Sequence, residues 1–78
     1  MKIKNNIVYI LSSCYYDKLM YVQKFNLKEF ATLKLCRAEM FHSIEHAKHF
    51  LSVRTDSAYW QIQPISSKTI FKAQLEGI

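Results

Sequence analysis

One segment of this 78-residue chain constrains its fold more than any other, because it combines a helix cap with apolar residues at helical spacing. Ser43 is a favourable N-cap, since its side-chain oxygen can accept a hydrogen bond from an amide of the first turn. Ile44, Ala47 and Leu51 then recur on one helical face. The segment therefore predicts an amphipathic helix from Ser43 to about Ser52.

The remaining residues of this segment agree with a helix. Glu45 lies in the first turn, where the helix dipole favours an acidic group, and Lys48 and His49 lie nearer the opposite end. Phe50 falls at the edge of the apolar face. We therefore expect Phe50 to belong to the core on which the helix packs.

A strand is predicted shortly after this helix, over Ala58–Ile65. Trp60 and Ile62 are expected on one face of the sheet. The opposite face is expected to carry Tyr59, Gln61 and Gln63. Pro64 has no amide hydrogen to donate to a neighbouring strand, so this strand lies at a sheet edge or ends there.

The amino-terminal region predicts two further strands. Ile7–Ser12 is a nearly continuous apolar run, which is typical of a central strand buried on both faces. Leu19–Phe25 is close enough to pair with it as an antiparallel hairpin. The loop between them carries Cys14, Tyr15 and Tyr16.

The segment Leu27–Phe41 is ambiguous by periodicity. It contains good helix formers and no helix breaker, yet Phe30–Leu33 alternates as a half-buried strand does. Helix and strand both remain open, and we expect a short strand near Phe30–Leu33 followed by a turn or 3₁₀ element into Phe41.

The last residues, 66–78, form either a short helix or a mobile tail. Ser67 is a candidate cap and Gly77 a candidate terminator for a helix that contains Ile70. The predicted fold class is α+β: one domain over residues 1–78, with a small antiparallel sheet of three to four strands and one main helix packed on one face.

Composition indicates a small core with apolar surface left over. Half of the residues are hydrophobic and 14% are aromatic, in a chain so small that folding buries only about 60–65% of the surface exposed by the unfolded chain. Such a chain favours a partner that covers the remainder, and it leaves homo-oligomer formation open. The net charge of +5 is spread along the sequence without a basic run, so an acidic partner also remains open.

The amino-terminal apolar run and the two cysteines predict a cytoplasmic protein. The apolar run near the start is too short for a secretory signal or a membrane span, so no membrane association is expected. Cys14 and Cys36 have no motif spacing, which indicates reduced thiols, Cys14 in a loop and Cys36 buried.

Several chemistries have little support in the sequence. A phosphate-binding loop needs glycines, and the only glycine is Gly77. His42, His46 and His49 are spaced for one helical face, but His42 precedes the cap and no HExxH or CxxC motif is present. Neither cysteine has an activating base nearby in sequence. We therefore expect no catalytic site, no metal and no cofactor.

Tyrosines raise the alternative of nucleic-acid binding. A small sheet could stack bases on aromatic rings between lysines, using Tyr9, Tyr15, Tyr16, Tyr21 and Tyr59. Known sheet binders carry a Gly- and Arg-containing motif that is missing from this sequence. We therefore expect these rings to build a core and one exposed edge instead.

Three aromatic residues are the candidate partner-binding residues. Tyr15 and Tyr16 lie in a predicted loop between strands, where rings serve a core poorly. Ile70 and Phe71 follow an edge-type strand without an obvious partner. Because interface cores favour aromatic residues, Tyr15, Tyr16 and Phe71 are expected in a protein-binding or self-association surface; the alternative is that Phe71 folds back over the sheet.

The segment Thr32–Leu51, followed by Tyr59–Ile65, resembles small accessory proteins of bacteriophages and mobile elements. The resemblance is carried by Ala38 and Phe41 before the capped helix, and by Ala47, Phe50 and Leu51 within it. It covers about half of the chain and assigns no functional residue.

The resemblance implies an anti-defence factor, such as an anti-CRISPR protein, that acts in the host bacterial cytoplasm by non-covalent binding. The expected partner is a bacterial defence complex or CRISPR effector. Many such proteins are acidic mimics of nucleic acid, and the basic charge here departs from that type, which favours an acidic protein face or a guide RNA as the contact. The alternative is a small basic nucleic-acid-binding accessory protein.

Overall fold

A computed structural model of the protein describes residues 6–14, 19–23 and 31–78. The described strands form one antiparallel sheet in the order β3-β2-β1-β4. In chain order the elements are β1 (Ile7–Ser13), β2 (Met20–Val22), β3 (Ala31–Thr32), a 3₁₀ turn (Leu35–Arg37), α1 (Ile44–Ser52), a 3₁₀ turn (Ser57–Tyr59), β4 (Gln61–Ser66) and α2 (Ser67–Glu76). The predicted α+β class and the antiparallel hairpin are confirmed.

Strand β1 lies at the centre of the sheet, as its apolar sequence predicts. It pairs with β2 at Ser12, opposite Tyr21, and at Ser13, and with β4 from Ile7 to Ser12. Ile10 and Leu11 point to opposite faces and are both completely buried. A strand that is apolar on both faces requires a cover on both sides of the sheet.

Two helices supply these covers. One cluster of buried residues on the first face contains Val8, Ile10, Tyr21, Ala38 and, from α2, Ile70. The cluster on the other face contains Leu11, Val22, Phe41 and, from α1, Ala47. The expectation of one main helix on one face is therefore incomplete, since α2 covers the opposite face.

Helix α1 begins and ends close to its predicted limits. The Ser43 hydroxyl accepts a hydrogen bond from the His46 amide at 3.1 Å, which confirms the cap. Phe50 and Leu51 are half-buried against the cluster around Ala47. Ile44, on the same helical face one turn before Ala47, is 39% exposed.

Strand β4 starts later than predicted. It begins at Gln61, and residues 57–59 form a 3₁₀ turn instead of the start of a strand. The cause is Asp56, whose carbonyl accepts from the Tyr59 amide at 3.0 Å and whose carboxylate accepts from the Trp60 indole at 3.1 Å. Pro64 lies in the edge strand, as predicted.

The carboxyl-terminal residues form helix α2. Its N-cap is Ser66, which accepts from the Lys68 amide at 3.2 Å; the predicted cap, Ser67, is one residue too late. Gly77 ends the helix in the left-handed conformation, with φ of 72°. Ile70 is 1% exposed, so the expectation that it lacks a partner within the chain is wrong.

The ambiguous middle segment contains both expected elements in its described part. Ala31–Thr32 pairs with β2 as a short strand, and Leu35–Arg37 forms the 3₁₀ turn. Residues 24–30, which include the end of the second predicted strand and the start of the ambiguous segment, lie outside the described residues.

Candidate functional site

A groove runs between helix α2 and the connecting segment that precedes α1. It consists of two adjoining cavities of about 590 and 420 Å³, which share Met40, His42 and Gln74. Both volumes fall in the range of ordinary ligand or side-chain pockets. We call this feature the α2 groove.

The groove has an apolar floor. Val8 and Ile70 line one cavity and Ala38 lines the other, and all three side chains belong to the same buried cluster. The rim carries two large apolar side chains, Met40 at 37% exposure and Phe71 at 42%. The walls therefore present apolar surface to solvent above a packed core.

The connecting segment is held in place as if it were an additional strand. Tyr9 donates to the Phe41 carbonyl at 2.8 Å, and Phe41 donates to the Tyr9 carbonyl at 2.7 Å. Two residues earlier in the segment, Glu39 donates to the Val22 carbonyl at 2.8 Å. Since side chains alternate along extended chain, Phe41 packs among the residues under α1, whereas Met40 lines the groove on the opposite face.

The other wall, helix α2, is anchored at both ends. At its start, Ser67 donates its amide to the Asn6 carbonyl at 2.7 Å, and its hydroxyl accepts from the Asn6 amide at 3.0 Å. At its end, the Ile78 carbonyl accepts from the Leu35 amide at 2.9 Å. Both walls of the groove are thus fixed to the sheet or to the turn beside it by backbone hydrogen bonds.

The charged side chains that line the groove, Arg37 and Glu39, both lie in the larger cavity. The larger cavity is lined by Cys36, Arg37 and Glu39, together with Gln23 from the end of β2. Cys36 is half-buried and faces this cavity, so the prediction of a buried thiol is wrong. Its position in a 3₁₀ turn at the edge of the cluster, rather than within a strand or helix, prevents full burial.

Of the three predicted partner-binding residues, the structure describes one. Phe71 lines the smaller cavity, and Leu75, one helical turn later on α2, is also exposed. Tyr15 and Tyr16 lie outside the described residues, so their assignment stays a prediction.

The histidines do not form one stripe. His42 lines both cavities of the α2 groove, whereas His46 contacts the Phe41 ring edge-on at 5.5 Å between ring centroids, on the other side of the sheet. His49 is exposed on α1. Among residues 6–14, 19–23 and 31–78, no three His, Cys, Asp or Glu side chains are grouped so that they could hold a metal ion.

The tyrosines of the described strands do not form an open stacking platform. Tyr21 is buried and Tyr9 half-buried, each beneath a helix-covered face, and Tyr59 is exposed in the turn before β4. Burial raises the pKa of the Tyr21 hydroxyl above its ordinary value, with a smaller contribution from nearby Cys14. Tyr21 thus lies in the core, as expected, whereas Tyr59 lies in a turn, and Tyr15 and Tyr16 lie outside the described residues.

A second polar cluster connects α1 to β4. Arg54 donates from Nε to Asp56 Oδ1 at 2.7 Å and from Nη2 to Asp56 Oδ2 at 2.9 Å, and its guanidinium lies 6.0 Å from the Phe50 ring centroid. The hydrogen bonds from Arg54 are the largest cause of a lowered Asp56 pKa. Because this carboxylate is already bonded to Arg54 and Trp60, the cluster holds the loop rather than offering a site.

The α2 groove was only partly accessible to sequence reasoning. The sequence indicates Phe71, because a large aromatic residue follows an edge strand. It indicates neither Met40 nor the place of His42 in the groove, because both lie in a segment without periodicity whose direction depends on a hydrogen-bonded pair with the distant Tyr9. No signal in the local sequence indicates that pair.

Comparison of the chain with protein-family models, curated proteins and solved structures finds no match in any of the three. Across residues 6–14, 19–23 and 31–78, none of the helices has both the length and the apolar character needed to cross a membrane.

Proposed function

We propose that this chain is a non-enzymatic binding protein that uses the α2 groove to dock on a protein partner. The observation that carries the proposal is the combination of an apolar floor with the exposed rim residues Met40 and Phe71 and the neighbouring Leu75. Contiguous exposed apolar surface of this kind marks interaction sites in small proteins. Hot spots of interfaces likewise centre on large side chains in or beside pockets.

The partner class that we propose is a bacterial immune complex, with a CRISPR effector as the leading candidate, bound in the host cytoplasm. Its support is the resemblance of residues 32–51 and 59–65 to small phage accessory proteins, together with the small size of the chain. The mechanism is occlusion: the bound protein covers a surface that the effector needs, and no bond is made or broken.

The test is inhibition of a purified CRISPR effector nuclease by titrated protein. A binder inhibits in proportion to its own concentration and reaches completion near molar equivalence. Phe71→Ala, which removes a rim side chain, should raise the concentration needed while the melting temperature holds. Val53→Ala, at a position 77% exposed beyond the end of α1, is the matched control and should change nothing.

Three outcomes contradict the proposal in different ways. Complete inhibition at strongly sub-stoichiometric dose indicates turnover and refutes the non-enzymatic part. Inhibition that Phe71→Ala leaves unchanged refutes the groove as the contact. No inhibition of effectors from each CRISPR type, and no protection of a targeted phage in cells that express the chain, refutes the anti-CRISPR assignment.

The second candidate is a nucleic-acid-binding accessory protein, favoured by the net charge of +5. Binding of this kind weakens steeply as salt rises, because counterions are released from the phosphates. Retention of RNA or DNA at low salt that disappears at high salt supports this candidate, and no retention at low salt removes it.

A further inference from the structure

The larger cavity of the α2 groove contains three side chains whose donor atoms suit a soft metal ion. Cys36, Met40 and His42 all line this cavity. They supply a thiol sulfur, a thioether sulfur and an imidazole nitrogen from one short stretch of chain. Soft sulfur ligands suit Cu(I), and imidazole binds copper as well. The combination of these three donors in one cavity therefore has the chemistry of a Cu(I) site.

The backbone places two of these donors on the same side of the chain. Phe41 exchanges two hydrogen bonds with Tyr9, and its ring packs in the cluster under α1. Met40 and His42 flank Phe41, so both side chains lie on the opposite side, in the groove. Their Cα atoms are about 6.6 Å apart, the span of two residues of extended chain. An ion between the two side chains is therefore within reach of both.

The third donor, the Cys36 thiol, enters the cavity from the 3₁₀ turn at Leu35–Arg37, and it is half-buried there. Two backbone hydrogen bonds hold this turn, from the Leu35 amide to the Ile78 carbonyl at 2.9 Å and from the Ala38 amide to the Leu35 carbonyl at 3.0 Å. The methionine side chain has three rotatable bonds, so its sulfur can adjust to an ion held by the other two.

Charge favours a monovalent ion in this cavity. A thiol binds a metal as the thiolate and releases its proton to solvent, so Cu(I) with one thiolate and two neutral ligands has no net charge. The cavity floor contains the buried Ala38, and a neutral complex avoids the cost of placing charge against apolar surface. Arg37 and Glu39 of the lining offset each other, so a divalent ion with the same ligands would leave one positive charge uncompensated.

We propose that Cys36, Met40 and His42 form a three-coordinate Cu(I) site in the α2 groove. Binding replaces the sulfur–hydrogen bond of Cys36 by a sulfur–copper bond and transfers no electron. Such a site needs no partner protein, so it goes beyond the proposed function. Zinc is less well matched, because its structural sites take four ligands. Within residues 6–14, 19–23 and 31–78, no three His, Cys, Asp or Glu side chains are grouped to hold a metal ion without the thioether.

The experiment titrates the folded protein into Cu(I) bound to bicinchoninate, a coloured Cu(I) chelator, without oxygen and with ascorbate as the reductant. Transfer of the ion to the protein is measured as the loss of the chelate absorbance. We expect the protein to take up one Cu(I) per chain. X-ray absorption at the copper edge of the loaded protein should then show two sulfur neighbours and one nitrogen neighbour.

The chain offers a matched control for each ligand. Loss of a single partner of a metal ligand already weakens metal binding about 10–100-fold, so loss of a ligand should weaken Cu(I) binding about tenfold or more; the variants are Cys36→Ser, Met40→Leu and His42→Gln. The same substitutions at positions outside the cavity should leave the affinity within about twofold; these are Cys14→Ser, Met20→Leu and His49→Gln. Without metal, the three ligand variants should melt near the native temperature, since none of these side chains is buried.

Several results overturn the Cu(I) site. No transfer of Cu(I) to an excess of protein excludes it, and equal losses in Cys14→Ser and Cys36→Ser assign the copper to thiols in general. Unchanged affinity in Met40→Leu removes the thioether, and displacement of Cu(I) by an equal concentration of Zn²⁺ removes the selectivity for a soft ion. The two proposals fail separately. Copper binding without effector inhibition refutes only the anti-defence function, whereas inhibition by a chain that binds no copper refutes only the metal site.

Discussion

Tyr9 and Phe41 exchange both of their backbone hydrogen bonds, at 2.8 and 2.7 Å, although they are 32 residues apart in the chain. The pair occupies the side of β1 that faces β2, at a point which the short β2 does not reach. It fixes one wall of the α2 groove and at the same time directs the Phe41 ring into the cluster under α1.

Phe41→Ala should therefore cost about 3–5 kcal/mol of unfolding free energy, since Phe41 is 2% exposed and a cavity remains after truncation. For so small a domain this loss is a large part of the total stability. Chemical denaturation measures it, with Val53→Ala as a control expected to change stability by less than about 0.5 kcal/mol. A loss below 1 kcal/mol in Phe41→Ala contradicts the burial.

Helix α2 offers a matched pair of substitutions. Ile70→Ala removes a side chain that is 1% exposed, whereas Leu75→Ala changes one that is 73% exposed on the same helix. We expect a cost of about 2–5 kcal/mol for the first and about 0.5 kcal/mol or less for the second. Thermal melting of both variants measures these costs. An equal loss of stability in the two variants indicates that α2 does not pack through Ile70.

Gly77 ends α2 with φ of 72°, a conformation that costs other residues about 1–2 kcal/mol. An added Cβ meets nothing within 4 Å, so the cost of Gly77→Ala comes from the backbone alone. Gly77→Asn should lower the free energy of unfolding by less than Gly77→Ala does, because asparagine tolerates this conformation. Urea unfolding compares the two variants, and an alanine variant as stable as the native chain contradicts the left-handed end.

The Asp56 carboxylate makes the free energy of unfolding depend on pH in the acid range. Its pKa is lowered in the folded chain, mainly by the hydrogen bonds from Arg54, so folding favours its charged form. This contribution is present above the unfolded value of about 3.9 and is lost as pH falls through the lowered folded value. Because Asp56 is partly exposed, we expect about 1 kcal/mol or less.

The measurement compares the native chain with Asp56→Asn across the acid range. The difference in unfolding free energy between the two should shrink as pH falls below about 4. A difference that stays constant down to pH values well below the ordinary aspartate range indicates that the Arg54 pair contributes nothing through charge.

Pro64 protects the edge of the sheet. It lies opposite Tyr9, whose own amide and carbonyl point away towards Phe41, so the backbone of Pro64 faces the open edge. Without an amide hydrogen there, the edge offers one donor fewer to another strand. Pro64→Val should restore that donor and promote self-association, which sedimentation at increasing concentration detects. The native chain serves as the control, and equal sedimentation of both contradicts the proposed protection.

The sequence alone determined the elements whose signals are local. Helix α1 follows from the Ser43 cap and the spacing of Ala47 and Leu51, and the central place of β1 follows from its continuous apolar run. The edge position of Pro64 needs only the missing amide hydrogen. In each case the residues that carry the signal are neighbours in the chain.

Only the tertiary structure decided how these elements are covered and where the groove lies. Ile70 is buried because α2 lies on the face of the sheet that α1 leaves uncovered, and the pattern of residues 66–78 fits a mobile tail as well as a helix. Met40 faces the groove because Phe41 is bonded to Tyr9. Both outcomes depend on contacts between distant residues, whose free energy arises only when the chain is folded, so local sequence patterns carry no trace of them.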